Sequence, residues 1–140
     1  MSNSQEMLEA LDQQDLTRAD HYFQKALVED SDDFLLELAY YLEGIGFYPQ
    51  ARQIYEKLSP IFPEVNLNLA SIASEDGQIE EAFAYLEEIQ PNSDSYVSAL
   101  VLKADFYQME GLTDVAREKL LEALHYSDDP LLTFGLAELD

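Results

Sequence analysis

Three of the chain's five glycines, Gly46, Gly77 and Gly111, each follow an alanine by seven residues (Ala39, Ala70, Ala104) and precede another by five (Ala51, Ala82, Ala116). Alanine fills 14 of 140 positions, so a double match at one glycine is roughly a one-in-a-hundred coincidence. Large apolar residues keep the same register. Tyr55, Leu86 and Leu120 stand four residues after the second alanine, and Leu58, Ile89 and Ala123 stand three further on. That spacing is one stripe of an α-helix. An earlier copy, Gln14, Ala19, Phe23 and Ala26, keeps the pattern with glutamine in the glycine's place. Ala19, Ala51, Ala82 and Ala116 lie 32, 31 and 34 residues apart, the period of solenoids built from helix pairs.

Each copy predicts a first helix, a tight turn and a second helix, so the fold class is all-α. First helices are expected near 5–13, 32–45, 64–76, 96–110 and 130–139, and second helices near 16–28, 48–59, 79–89 and 113–126. The glycines fall where a helix must stop and reverse, and the alanines where two helices cross too closely for a larger side chain. Thr17-Arg18-Ala19-Asp20 and Thr113-Asp114 offer acceptors to the free N–H groups of second helices, Pro49 suits a first turn, and Pro63, Pro91 and Pro130 punctuate connections. The acid clusters Asp30-Ser31-Asp32-Asp33 and Ser127-Asp128-Asp129 precede helices and are expected to cap them.

Charge narrows the partners. Against 29 acidic side chains stand 7 basic ones, a formal net charge of −22, and such a surface repels phosphate backbones and anionic lipid. Neither nucleic acid nor membrane is expected as a partner. At 47% hydrophobic residues the chain is too apolar for an acidic disordered tail, so the charge decorates a folded body. The absence of cysteine excludes disulfides and thiolate metal sites. The segment from Met1 to Glu6 has neither a basic nor an apolar signal region, and a cytoplasmic location is expected.

These residues resemble the tetratricopeptide repeat family. Ala39, Gly46, Ala51, Tyr55, Leu58 and Pro63 make the best copy, followed by Ala104, Gly111, Ala116, Leu120 and Ala123. Sel1-like hairpins are a neighbouring pattern of slightly different length. The tryptophan often found early in the family's first helix is replaced by Leu35, Asn66 and Leu100, and Ala73 stands where Leu42 and Tyr107 stand in other copies. The expected division is a single domain over 1–140, with repeats at 1–30, 31–62, 63–94 and 95–128 and the first helix of a fifth at 129–140. The resemblance implies a right-handed superhelix whose first helices line a concave groove for a peptide or helix of a partner. Groove-facing positions would be Asp33, Leu36, Tyr40 and Glu43, then Leu67, Ser71 and Glu75, then Val101, Asp105, Gln108 and Met109. A family subtype that grips C-terminal carboxylates with inward Lys, Arg and Asn is disfavoured, because Leu36, Tyr40, Ser71 and Asp105 stand there.

Six basic residues, Arg18, Lys25, Arg52, Lys57, Arg117 and Lys119, fall on predicted second helices, and only Lys103 falls on a first helix. An acidic inner face is expected from this, suited to a basic or amphipathic segment. Tyr40 and Met109 are the candidate anchors. The chain reaches Asp140 in what reads as half of a fifth hairpin, so a fragment of a longer array is expected, with association through an apolar patch at Leu132, Leu136 and Leu139 giving a homodimer as the alternative.

No catalytic set assembles. His21 and His125 have no partner motif, and no HExxH, phosphate loop or nucleophile elbow occurs. A calcium loop starting at Asp30 would need glycine and glutamate where Leu35 and Tyr41 stand. The pairs Glu80-Glu81 and Glu87-Glu88 suit a wet helix face. No enzyme activity, cofactor or metal is expected.

Overall fold

The computed structural model describes residues 2–139. Among them lie nine helices and no strand: α1 (Asn3–Asp12), α2 (Leu16–Glu29), α3 (Asp32–Gly44), α4 (Tyr48–Leu58), α5 (Val65–Glu75), α6 (Ile79–Glu87), α7 (Tyr96–Met109), α8 (Thr113–Ala123) and α9 (Pro130–Leu139). They pack in chain order as the hairpins α1/α2, α3/α4, α5/α6 and α7/α8, and α9 lies on α8.

One reversal closes all four hairpins, at 13–15, 45–47, 76–78 and 110–112. Its middle residue is left-handed, with φ of 88° at Gly46, 78° at Gly77, 80° at Gly111 and 60° at Gln14. The next residue donates its N–H to the carbonyl five residues back: Asp15 to Ala10, Phe47 to Leu42 and Gln78 to Ala73 at 2.8 Å, and Leu112 to Tyr107 at 2.9 Å. These bonds satisfy carbonyls that the end of a helix leaves free.

Helix starts depart from expectation in two places. Asp15, not the Thr17–Asp20 stretch, caps α2, its carboxylate accepting from the Arg18 N–H at 3.1 Å. A capping acceptor must precede the first turn, and Thr17 already lies inside it. No side chain caps α8, whose N-cap is Leu112; Asp114 instead sits in the first turn, where the helix dipole favours an anion. Elsewhere Ser31 caps α3 by accepting from the Phe34 N–H, Asp129 accepts from the Leu131 N–H at the start of α9, and Ser2 makes a reciprocal pair with Gln5 on α1. Helices α6 and α8 end earlier than 89 and 126. Beyond them Ile89 bonds to Leu86 and Tyr126 to Ala123, a three-residue span that tightens the last turn.

Contacts divide the chain into two compact units, Met1–Pro60 and Ile61–Asp140, parting within the connection after α4. In the first, Ala10, Ala19, Phe23, Ala26, Leu35, Ala39, Leu42, Ala51, Ile54, Tyr55 and Leu58 are buried. In the second, Ala70, Ala73, Ala82, Leu86, Ile89, Ala99 and Phe106 form one cluster. Leu100, Ala104, Ala116, Leu120, Ala123 and Leu132 form another. The paired alanines of a copy are buried in the same cluster, Ala70 with Ala82 and Ala104 with Ala116. Asn66 takes the tryptophan's place as a buried residue, and its amide donates to Glu88 at 3.4 Å.

Candidate functional site

Helix α7 is apolar on several sides, carrying Val97, Ala99, Leu100, Val101, Leu102, Ala104 and Phe106, as a helix with neighbours on more than one side must be. It packs against α5, α6 and α8. The face left over, at Val97, Val101, Asp105 and Gln108, lines an open cavity of about 610 Å³ in the second unit. Leu67 of α5, Leu131, Leu132, Gly135, Glu138 and Leu139 of α9, and Ala104 and Leu120 line it as well. Its acids are Asp105, Glu138 and Asp129, and no lysine or arginine is among the lining residues. Asp105 is exposed, and the partial desolvation that these walls impose raises its carboxyl above the ordinary aspartate range.

Of the groove positions expected in this unit, Leu67, Val101, Asp105 and Gln108 line the cavity, whereas Ser71, Glu75 and Met109 do not. Met109 stands 69% exposed at the end of α7. The association patch needs correction: Leu132 is 5% exposed within the α7/α8 cluster, and Leu136 and Leu139 pack partly buried against the same cluster. Leu131 and Phe134 are the exposed large apolar residues of this helix. Five large apolar residues in ten leave periodicity unable to choose a face, and packing on α8 chose it.

The first unit has a smaller cleft, of about 270 Å³, lined by Ser2, Ser4, Gln5 and Leu8 at α1 and by Phe34, Glu37, Leu38 and Tyr41 of α3. None of Asp33, Leu36, Tyr40 and Glu43 lines it. Those four occupy a neighbouring strip of α3, since a one-residue offset on a helix turns a side chain by about 100°. Phe34, Leu38 and Tyr41 follow core spacing, which hid them, yet Phe34 and Tyr41 are exposed. Tyr40 is 46% exposed, with its ring centroid 6.1 Å from that of Tyr55. Glu43 is half-buried and accepts a 2.6 Å hydrogen bond from the Tyr55 hydroxyl. Desolvation first, and that carboxylate second, push the Tyr55 phenol well above its usual range.

Cations lie where the sequence predicts. Arg18 and Lys25 are on α2, Arg52 and Lys57 on α4, and Arg117 and Lys119 on α8. Lys57 donates to the Leu27 carbonyl, and Arg18 pairs with Glu6 at 2.8 Å. Lys103, the one cation on a first helix, is 6% exposed and pairs with Glu87 of α6 at 2.9 Å, so it turns away from the cavity. His21 sits edge-on to Tyr22 on α2, and His125 follows the end of α8 rather than riding its last turn. No helix among the described residues is long and apolar enough to cross a membrane.

No protein-family model matches the chain. Over 116 residues, 80% of its length, it is 32% identical to the TPR repeat-containing protein YpiA of Bacillus subtilis (strain 168), and it spans about a quarter, 27%, of that relative. Among solved structures it is similar to a thermophilic TPR protein of Thermus thermophilus, with a TM-score of 0.58, 21% sequence identity and coverage of 98% of this chain and 79% of that one. With four hairpins closed by one reversal, paired alanines buried in one cluster in the α5/α6 and α7/α8 hairpins, and a curated relative named for the same repeat, the chain belongs to the tetratricopeptide repeat family.

Proposed function

We propose that the protein is a non-catalytic cytoplasmic scaffold that holds a basic or amphipathic segment of another protein against its first helices. The observation that carries this reading is the segregation of charge. Six of seven cations ride on second helices and the seventh is buried in an ion pair, so the apolar cavity beside α7 meets solvent with acids alone. A recessed surface of one sign attracts a partner of the other and repels nucleic acid. Affinity purification with mass spectrometry tests it: a bound protein should be retained by the unmodified chain and lost with Asp105→Lys. A partner captured equally by both chains would refute groove binding.

A second reading, self-association through α9, is favoured by the exposure of Leu131 and Phe134. Light scattering should then give a dimer that Phe134→Asp dissociates. A net charge of −22 on each copy opposes it.

A further inference from the structure

Gly135 lies in the middle of α9, where glycine is a poor helix former, and it faces the cavity beside α7. A Cβ built there would meet a single neighbour, Leu120 Cδ1 at 3.4 Å. Alanine would therefore fit at ordinary contact, and any longer side chain would spend the cavity's own volume. Val101 and Asp105, which line the same cavity, stand one helical turn apart on α7, which separates their Cβ atoms by about 6 Å.

Resting on the groove reading above, we propose that this cavity recognises a two-part signature in the partner. A large aliphatic or aromatic side chain enters between Val101, Leu132 and the bare face of Gly135, and a lysine or arginine about 6 Å away on the same segment pairs with Asp105. The walls favour an apolar occupant because burying it releases water from both surfaces. Asp105 selects the neighbour. Its carboxylate is partly desolvated, and the cavity lining offers it no cation, so an incoming ammonium or guanidinium supplies the charge partner that the fold withholds. A neutral side chain at that place would desolvate the carboxylate further and return nothing, which makes the discrimination asymmetric. A helical ligand meets the spacing with residues i and i+4, and an extended one with i and i+2. Glu138 and Asp129 add acid at the cavity margin, steering the cation inward. A second copy of this chain is a poor occupant, since it would bring 29 acids with its 7 bases.

Selection from a displayed library of random twelve-residue peptides against the full chain tests this. Enriched peptides should carry Lys or Arg at a fixed offset from Leu, Met, Ile or Phe, and replacing that cation by Gln in a synthesised peptide should weaken binding about tenfold by fluorescence anisotropy. Against Asp105→Asn the cation preference should vanish and the hydrophobe remain. Gly135→Ala should bind within about threefold of the unmodified chain, while Gly135→Leu, folded by circular dichroism, should lose the hydrophobe as well. If Gly135→Leu fails to fold, the Asp105→Asn arm decides alone. Enriched peptides without a cation, or with one indifferent to Asp105→Asn, would overturn the signature and leave groove binding standing. Absence of any peptide that perturbs the α7 amides in NMR would overturn both.

Discussion

Gln14 holds at φ 60° the conformation that glycine holds in the other three reversals, and it does so with a Cβ in place. The left-handed region costs an ordinary residue about 1–2 kcal/mol, and glycine returns part of that as unfolded-state entropy. Gln14→Gly should therefore stabilise the protein by about 0.5 kcal/mol, whereas Gly77→Ala should destabilise it by about 1 kcal/mol, both read as shifts of the urea midpoint. These positions were legible in the sequence because a left-handed turn is a purely local demand. Caps were less so: Asp15 and Thr17 are both good acceptors, and only the helix start separates them. Asp105 has a raised carboxyl pKa, so the folded chain binds that proton more tightly than the unfolded one. Its ionised form thus opposes folding above the raised pKa, and the opposition fades as pH falls through that value toward the ordinary aspartate range. Asp105→Asn should add no more than about 0.5 kcal/mol at pH 7, because the residue is largely open to solvent and screened. The gain should shrink in urea titrations at successively lower pH.

At the scale of elements, the alanine crossings set how near two helices come. Ala70, Ala82 and Leu86 are buried in one cluster that α5 and α6 share with α7. Ala82→Leu should cost about 1–3 kcal/mol by forcing α5 and α6 apart, and Leu86→Ala about 2–5 kcal/mol by leaving a void, each measured by chemical denaturation. Opposite changes of volume in one cluster would thus both destabilise, as expected of a close-packed interior. Helix number and order were readable from the repeat, with bounds within a few residues, since each helix repeats one pattern against the same kind of neighbour. Which way α9 turns its leucines was not, and neither was the cleft beside Phe34 and Tyr41. Both depend on which neighbour covers a stripe, a fact of packing that spacing alone does not carry.

Across the whole molecule, the net charge of −22 acts in opposite senses on folding and on binding. Raising sodium chloride from about 0.01 M to about 0.3 M screens self-repulsion and should raise the melting temperature in circular dichroism, while the same change should weaken a cationic partner's affinity. A partner whose affinity rose with salt would contradict an electrostatic groove. Spacing along the chain is likewise uneven. The four reversals within hairpins are each three residues long, whereas the stretches between hairpins, 30–31, 59–64, 88–95 and 124–129, range from two residues to eight. Drift between copies is thereby absorbed outside the hairpins, and the chain can be lengthened there without disturbing a helix. An epitope tag spliced after Asn92 should be carried silently, while the same tag spliced after Gly77 should unlatch its hairpin and expose it to protease.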